Sequence, residues 1–257
     1  MDGARRVIER TESLPMPGNH RKKLLKWSLL AALALAIAGV TSCMVWPDIA
    51  RLRTEVPTTS AFMTYRESTA KSEGRTLAID YRWIPLSSIS PYLAQAVVIA
   101  EDDKFWAHHG FDFEAIKTAL EKDIQQKSSR YGGSTITQQL AKNLFLSPSR
   151  DPIRKLREFI LAWRLERGLT KKRILELYLN VVEWGDGIFG AEAAARHYYG
   201  KPASALSPDE AAHLAVVLPS PRRYNPLSGT PYIEDRAREV LEIMAKRGLV
   251  EPDGSEK

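Results

Sequence analysis

Apolar positions form one unbroken block near the start of the chain and a series of periodic stretches after it. Residues 1–26 are polar and basic, end in Arg21-Lys22-Lys23-Leu24-Leu25-Lys26, and read as a disordered tail. Trp27 to Trp46 then carries no charged residue, and about 20 such residues are needed to cross a hydrocarbon core of ~30 Å. Trp27 and Trp46 stand where interfacial aromatics belong. Basic residues cluster before the block, whereas Arg51 and Arg53 behind it are diluted by Asp48 and Glu55. The positive-inside rule therefore puts the amino terminus in the cytoplasm and everything after residue 47 outside. Two other readings exist. A cleavable signal peptide has a shorter apolar region and a small-residue cleavage site. Val40-Thr41-Ser42-Cys43 loosely resembles a lipoprotein box, but apolar Met44-Val45-Trp46 follows the cysteine. An uncleaved single-pass anchor over 27–46 is the reading adopted, and each version leaves the remaining chain outside.

Residues 47–75 mix charges with Pro57, Thr58, Thr59 and Ser60, and read as a membrane-proximal linker to a domain spanning 76–250. Thr76–Ile84 alternates in part and predicts one short strand, ended by Pro85. Ser90-Pro91 predicts a helix start, with Ser90 as cap. That helix carries Tyr92, Leu93, Ala96, Val97 and Ala100 at core spacing, with Glu101 at its far end. A helix over Phe111–Lys127 follows, with Phe113, Ile116, Leu120 and Ile124 on one stripe. Lys127 to Gly133 predicts a mobile loop, after which Ser134 caps the next helix. Asp151-Pro152 opens another, with Ile153, Leu156, Ile160 and Trp163 as its core stripe. Thr170 caps Lys171–Val182, with Ile174, Leu175, Tyr178 and Val181 inward. Gly185 to Gly190 reads as a turn, and helices follow near 190–199 and 208–218. Arg222-Arg223-Tyr224-Asn225-Pro226 forms a basic, aromatic loop before a last amphipathic helix, Ile233–Arg247. The domain is mainly α.

Composition narrows this only a little. Hydrophobic residues make up 44% of the chain and charged ones 26%, as in ordinary globular proteins. The net charge of +6 fits a phospholipid surface, a phosphorylated substrate or nucleic acid without choosing among them. The single cysteine, Cys43, excludes an intrachain disulfide and a cysteine zinc cluster. The phosphate-loop pattern of nucleotide-binding proteins is absent. Ser68-Thr69-Ala70-Lys71 matches the S-x-x-K pattern of penicillin-binding serine enzymes, but neither S-D-N nor K-T-G occurs.

Three places carry candidate chemistry. Leu93 to Ala100 delivers two adjacent carboxylates, Glu101 and Asp102, into an aromatic, histidine-rich turn ending at Gly110. An acid at the end of a buried segment is costly to ionise unless it has a partner or a task. Gly132-Gly133-Ser134-Thr135 is an ordinary helix cap or, with free N–H groups, two hydroxyls and Lys142 two turns along, an anion site. Arg154 and Glu158 are four apart on one helix face, with Lys155 and Arg157 adding positive charge. Alone, such a pair is a surface ion pair worth a few tenths of a kcal/mol.

Taken together, these stretches resemble the peptidoglycan glycosyltransferases, the lysozyme-like family 51 enzymes that polymerise lipid II. The resemblance covers roughly Leu77 to Pro226. It is carried by Glu101-Asp102-x-x-Phe105-x-x-His108-x-Gly110, then Gly132-Gly133-Ser134-Thr135-Ile136-Thr137-Gln138-Gln139-Leu140-x-Lys142-Asn143. Arg154-Lys155-x-x-Glu158 follows, then Lys171-x-x-Ile174-Leu175-Glu176-x-Tyr178-Leu179-Asn180 with Gly185. Residues 227–257 carry no transpeptidase motif, and Leu218 to Pro226 is similar to the monofunctional Gram-negative type. The resemblance implies a lysozyme-like, two-lobed helical domain behind one transmembrane helix. It implies an inverting transfer in which Glu101 takes the proton of the acceptor 4-hydroxyl. It gives Glu158 as the second catalytic glutamate. Ser134, Thr135, Gln138, Lys142, Arg154, Lys155, Asp102 and Asn180 fall to substrate or diphosphate binding. Magnesium or manganese assists some members, but no dedicated metal site is visible, and His108 and His109 read as structural or substrate contacts. The partners implied are lipid II, the nascent glycan strand, membrane lipid and other cell-wall synthases, with no nucleic acid. The location implied is the bacterial inner membrane, with the amino terminus cytoplasmic and the catalytic domain periplasmic. A lysozyme-like lytic enzyme and a non-catalytic scaffold of the wall machinery are the alternatives. The basic cluster favours a diphosphate leaving group over the first, and the retained glutamates speak against the second.

Overall fold

The computed structural model describes residues 18–126, 133–148 and 151–251; of these, the side chains of 18–21, 36–37, 40, 42–45, 120 and 122–126 are outside the description. Residues 1–17 of the expected disordered tail and 127–132 of the expected mobile loop lie outside the described residues, as do the side chains of Leu120 and Ile124, whereas residues 18–26 of that tail are helical rather than disordered. Helix α1 (Gly18–Val45) covers most of the apolar block. It forms a unit of its own up to Ser42, and the chain from Cys43 onward forms a second. Among the described residues no helix is long and apolar enough to cross a membrane. Part of the expected span (36–37, 40 and 42–45) has its side chains outside those residues.

The second unit is mainly α. The stretch read as a linker contains a 3₁₀ turn, Ile49–Arg53, and helix α2 (Ala61–Ser72), started by the Ser60 hydroxyl accepting from the Met63 N–H at 3.1 Å. Its buried face is Met63, Arg66 and Ala70. Arg66 is 3% exposed, bonds Glu183 at 2.9 Å and pairs with Asp186. A helix that buries an arginine has no continuous apolar stripe, so periodicity gives no sign of it.

Three short strands, β1 (Asp80–Tyr81), β2 (Glu183–Gly185) and β3 (Ile188–Phe189), form a sheet in the order β1-β3-β2. The expected strand over 76–84 pairs along only two residues, parallel to β3. The expected turn at Gly185–Gly190 is a hairpin, with β2 and β3 on its arms. Gly190 has φ +88°, and a Cβ there would meet the Asn180 carbonyl oxygen at 2.7 Å, so a side chain is excluded twice over.

Helix α3 (Pro91–Glu101) runs through the centre, with Leu93, Ala96 and Val97 fully buried. Each large apolar side chain so placed contributes roughly 1.5–3 kcal/mol. It packs on α9 (Pro208–Val217) and α10 (Pro231–Lys246). Ser90 does not cap α3; its hydroxyl donates to the Leu206 carbonyl at 2.9 Å. Helices α4 (Phe113–Gln126), α5 (Ile136–Phe145), α6 (Pro152–Gly168), α7 (Lys171–Val181) and α8 (Ala191–Tyr199) complete the fold, with α5 packed on α2, α6 and α7. Asp151 and Thr170 cap α6 and α7 as expected. Thr135, not Ser134, caps α5, in a capping box with Gln138.

The apolar stripe expected to bury α6 faces outward. Ile153, Leu156 and Trp163 are exposed and Ile160 only half-buried, while Glu158, Leu161, Ala162 and Leu165 face the core. Both stripes repeat at helical spacing, and the bulkier one is on the surface. Periodicity locates an apolar stripe without saying whether protein or another apolar medium covers it. Phe159 of α6 is exposed too and stacks on Phe111 at 3.8 Å, and α4 adds exposed Phe113 and Ile116.

Candidate active site

Helix α3 ends at Glu101 because the next residue leaves helical geometry (Asp102, φ −162°, ψ 73°). Glu101 is thereby fixed at the rim of a core helix, partly buried. The Gln139 amide of α5 donates to its carboxylate at 2.7 Å, and the Tyr178 hydroxyl of α7 donates to the Gln139 carbonyl at 2.9 Å. Three helices thus hold one carboxylate. Desolvation raises the Glu101 pKa, and Asp102 adds to that. The Gln139 bond and the positive charges of Lys142 and Arg236 offset it only in part. Burial likewise holds the Tyr178 phenol well above its usual range, reinforced by the charges of Glu101 and Asp102.

Asp102 is buried and fully engaged. Its carboxylate accepts from His108 Nε2 at 2.8 Å and from the Ile136 N–H at 2.9 Å. The Gly110 N–H donates to His108 Nδ1 at 3.1 Å, which fixes the tautomer: Nδ1 accepts, so Nε2 carries the hydrogen. The Gly110 carbonyl in turn accepts from the Thr135 hydroxyl at 2.7 Å. Gly110 sits at φ +92°, a conformation glycine adopts at little cost. Asp102, His108, Gly110 and Thr135 form a brace between the end of α3 and the start of α5.

That brace changes the reading of the α5 start as an anion site. Asp102 takes the Ile136 N–H, Thr135 Oγ1 takes the Gln138 N–H at 3.2 Å, and the Gln138 side chain returns to the Thr135 N–H at 3.0 Å. The Thr135 hydroxyl and the Gln138 carbonyl oxygen are therefore engaged in holding the start of the helix. Ser134 differs: it is half-buried and its hydroxyl receives Lys155 Nζ at 3.3 Å.

On α6 the Arg154 guanidinium donates to Glu158 at 2.6 Å, and Lys155 pairs with the other carboxylate oxygen. Glu158 is 3% exposed, so this is no ordinary surface pair. Lys142 lies in the field of the same cluster. Desolvation lowers its pKa, Glu158 and Glu101 raise it, and Arg154 and Lys155 lower it. Lys142 thus lies in the field of both Glu101 and Glu158.

Asn180 is fully buried. Its side chain accepts from the Ile84 N–H at 3.0 Å and donates to the carbonyls of Ile84 at 2.9 Å and Glu176 at 2.8 Å. It pins the strand region to α7 and has nothing left for a ligand. Among the described residues no group of three or more His, Cys, Asp or Glu is placed to hold a metal ion.

Two cavities flank the Glu101–Gln139 pair. One of about 450 Å³ is lined by Glu101, Asp102, Lys104, Asp112 and Ser134, among others. One of about 300 Å³ is lined by Gln139, Lys142, Asn143 and the Leu218–Arg223 segment. Sequence reasoning missed Gln139 as the partner of Glu101, because Gln138 and Gln139 are chemically identical and only helix phase separates cap from site. It also missed the positive potential of Arg236 from a helix 135 positions downstream (236 − 101).

Comparison with known proteins gives a consistent result. The family model described as Transglycosylase matches residues 70–245. A biosynthetic peptidoglycan transglycosylase of Nitrosospira multiformis is 50% identical over 193 residues, 75% of this chain and 84% of its own. One from Azoarcus sp. strain BH72 is 50% identical over 206 residues, 79% and 88% of the two chains. One from Nitrosomonas eutropha is 45% identical over 227 residues, 88% and 92%. With a carboxylate held at a helix end, a basic cluster beside it and this breadth of match, the chain belongs to the transglycosylase family.

Proposed function

We propose that this protein is a peptidoglycan glycosyltransferase that polymerises the glycan strands of the bacterial cell wall from lipid II. The observation that carries this reading is the Gln139-held carboxylate of Glu101 beside Lys142, with the Arg154–Lys155–Glu158 cluster beyond. The acceptor is a lipid II disaccharide and the donor a growing glycan α-linked through a diphosphate to a polyprenyl chain. Glu101 takes the proton of the acceptor 4-hydroxyl as that oxygen bonds to the donor anomeric carbon. The carbon–oxygen bond to the diphosphate breaks with its electron pair, on the face opposite attack. The product is a β-1,4 link with inversion. A carboxylate whose pKa is raised is a stronger base at neutral pH than an exposed one, which suits this step.

Negative charge grows on the departing polyprenyl diphosphate. Lys142, Arg154, Lys155 and the Ser134 hydroxyl supply preorganised positive charge and a donor for it. Glu158 acts as a positioning residue that holds Arg154 and Lys155. Asp102, Thr135, Gln138 and Asn180 serve as framework. Glu158 spends both oxygens on cations and Asp102 spends its own on His108 and Ile136. This donor set does not fit a resident divalent cation.

A lysozyme-like, two-lobed arrangement behind a single-pass inner-membrane anchor, with the domain on the periplasmic side, fits the same reading. The substrate never leaves the bilayer, and tethering raises its effective concentration. The outward apolar face of α6 and α4 supports contact with lipid. Incubating full-length protein with labelled lipid II tests the proposal. Polymer is expected from the native protein, and Glu101→Gln should bind lipid II without making polymer. Polymer from Glu101→Gln would remove Glu101 as base. Loss of preformed glycan would identify a hydrolase instead.

A further inference from the structure

Away from both cavities beside Glu101, a third of about 450 Å³ is lined by Arg53, Arg167, Gly168, Leu169, Thr170 and Arg173. It shares no lining residue with either. Three guanidinium groups converge there, from the 3₁₀ turn, the end of α6 and the first turn of α7. They are not equivalent. Arg173 is held by Glu176 and by the carbonyls of Leu52 and Glu55. Arg53 donates Nε to the Gly168 carbonyl at 2.8 Å and has no carboxylate partner among the described residues. Arg167 has none either; its guanidinium lies over the Trp163 ring, 4.6 Å from the centroid. The cavity thus holds two exposed guanidiniums without an acid, at the start of α7, an eleven-residue helix whose Arg173 N–H is taken by Thr170 and whose Lys171 and Lys172 N–H groups come before it. Planar guanidinium pairs and helix starts both suit a phosphate.

What selects the source of the phosphate is the surface next to it. Ile153, Leu156, Ile160, Trp163 and Arg167 follow one another on one face of α6 at helical spacing. The exposed apolar stripe ends in an aromatic ring capped by a cation, and the cavity opens beyond. Apolar surface, then tryptophan, then arginine is the layering of a membrane interface from acyl chains to headgroups. Arg53 also follows the apolar block by only seven positions (53 − 46). We infer that the Arg53–Arg167–Arg173 cavity binds the phosphodiester of an anionic phospholipid while the α6 stripe contacts its acyl chains. Such a site would fix the height and tilt of the domain on the bilayer, independently of catalysis.

The test uses full-length protein in detergent micelles, titrated with short-chain phosphatidylglycerol, short-chain phosphatidylcholine or inorganic phosphate, with binding read by thermophoresis. Phosphatidylglycerol is expected to bind tighter than both others. Arg167→Gln should weaken it roughly fivefold, the effect of one basic residue at an anionic surface, and Arg53→Gln/Arg167→Gln more. Arg157→Gln removes the same charge from an exposed position ten residues (about 15 Å) earlier on α6 and should leave binding unchanged. Arg167 is exposed, so its variant keeps the fold, and an unchanged melting curve checks that. Equal binding of both lipids, equal binding of inorganic phosphate, or equal losses from Arg157→Gln and Arg167→Gln would each overturn the proposal.

Discussion

Replacing Gln139 by alanine separates the chemistry of Glu101 from the stability of its surroundings. The Gln139 amide donates to Glu101 at 2.7 Å and favours the ionised form. A hydrogen bond to a charged group contributes roughly 1.5–3 kcal/mol. Its loss works against ionisation alone, so the Glu101 pKa, already raised by burial, rises further. At about 1.4 kcal/mol per tenfold, the acid limb of the pH–rate profile for lipid II polymerisation should move up by roughly one to two pH units. The sign follows from the role: the base works when deprotonated, so activity is lost as pH falls through its pKa. The same substitution orphans the buried Tyr178 hydroxyl, at about 1–3 kcal/mol of stability. Adding Tyr178→Phe should therefore restore much of the melting temperature while leaving the displaced limb where it is. The assay is polymer formation against pH for native protein, Gln139→Ala and the double variant, each with a melting curve. An acid limb that stays put or moves down in Gln139→Ala would refute the reasoning, as would its return in the double variant.

Two further predictions separate binding machinery from framework. Lys142→Ala should lower kcat by about 10²–10³, the usual cost of one preorganised group at developing charge; a rate within twofold of native would remove Lys142 from the leaving-group site. Asn180→Ala leaves the Ile84 N–H and carbonyl without their partner. It should lose about 1–3 kcal/mol of stability while the folded fraction keeps native KM for lipid II, and a raised KM in folded protein would return Asn180 to the binding site.

The sequence carried the helical frame well where local chemistry decides it. Asp151-Pro152 and Thr170 start helices because their side chains meet a backbone N–H three residues on, a rule internal to a few residues. Glu101 was legible because an apolar run ending in an acid poses an electrostatic problem that the chain must solve. Failures fell where the deciding partner is remote. Helix α2 depends on Arg66 meeting Glu183, 117 residues away. The outward stripe of α6 depends on what lies outside the protein. Ser134 and Thr135 are both good caps, and Asp102 and Gly110 break the tie by engaging Ile136 and the Thr135 hydroxyl. Thr135, Gln138 and Asn180 sit within the family motifs, yet the Thr135 hydroxyl, the Gln138 carbonyl oxygen and the Asn180 amide are bonded inside the fold. A motif marks positions under constraint without saying whether chemistry or architecture imposes it.

Helix α10 gives the domain an order in time. It buries Ile233, Ala237, Val240 and Met244 against the core, Arg236 adds positive charge near Glu101, and Arg247 bonds Asp103 at 2.6 Å across 144 residues of chain. The rim of α3 is thus closed by the last of the described helices to be synthesised. A chain emerging amino terminus first has its brace and basic cluster before α10 exists, but α3 still lacks one of its packing partners. Contacts of such separation form late, after the loop-closure entropy between them is met. The surroundings of Glu101 are therefore complete only once α10 has joined the fold, long after the glutamate itself has been made.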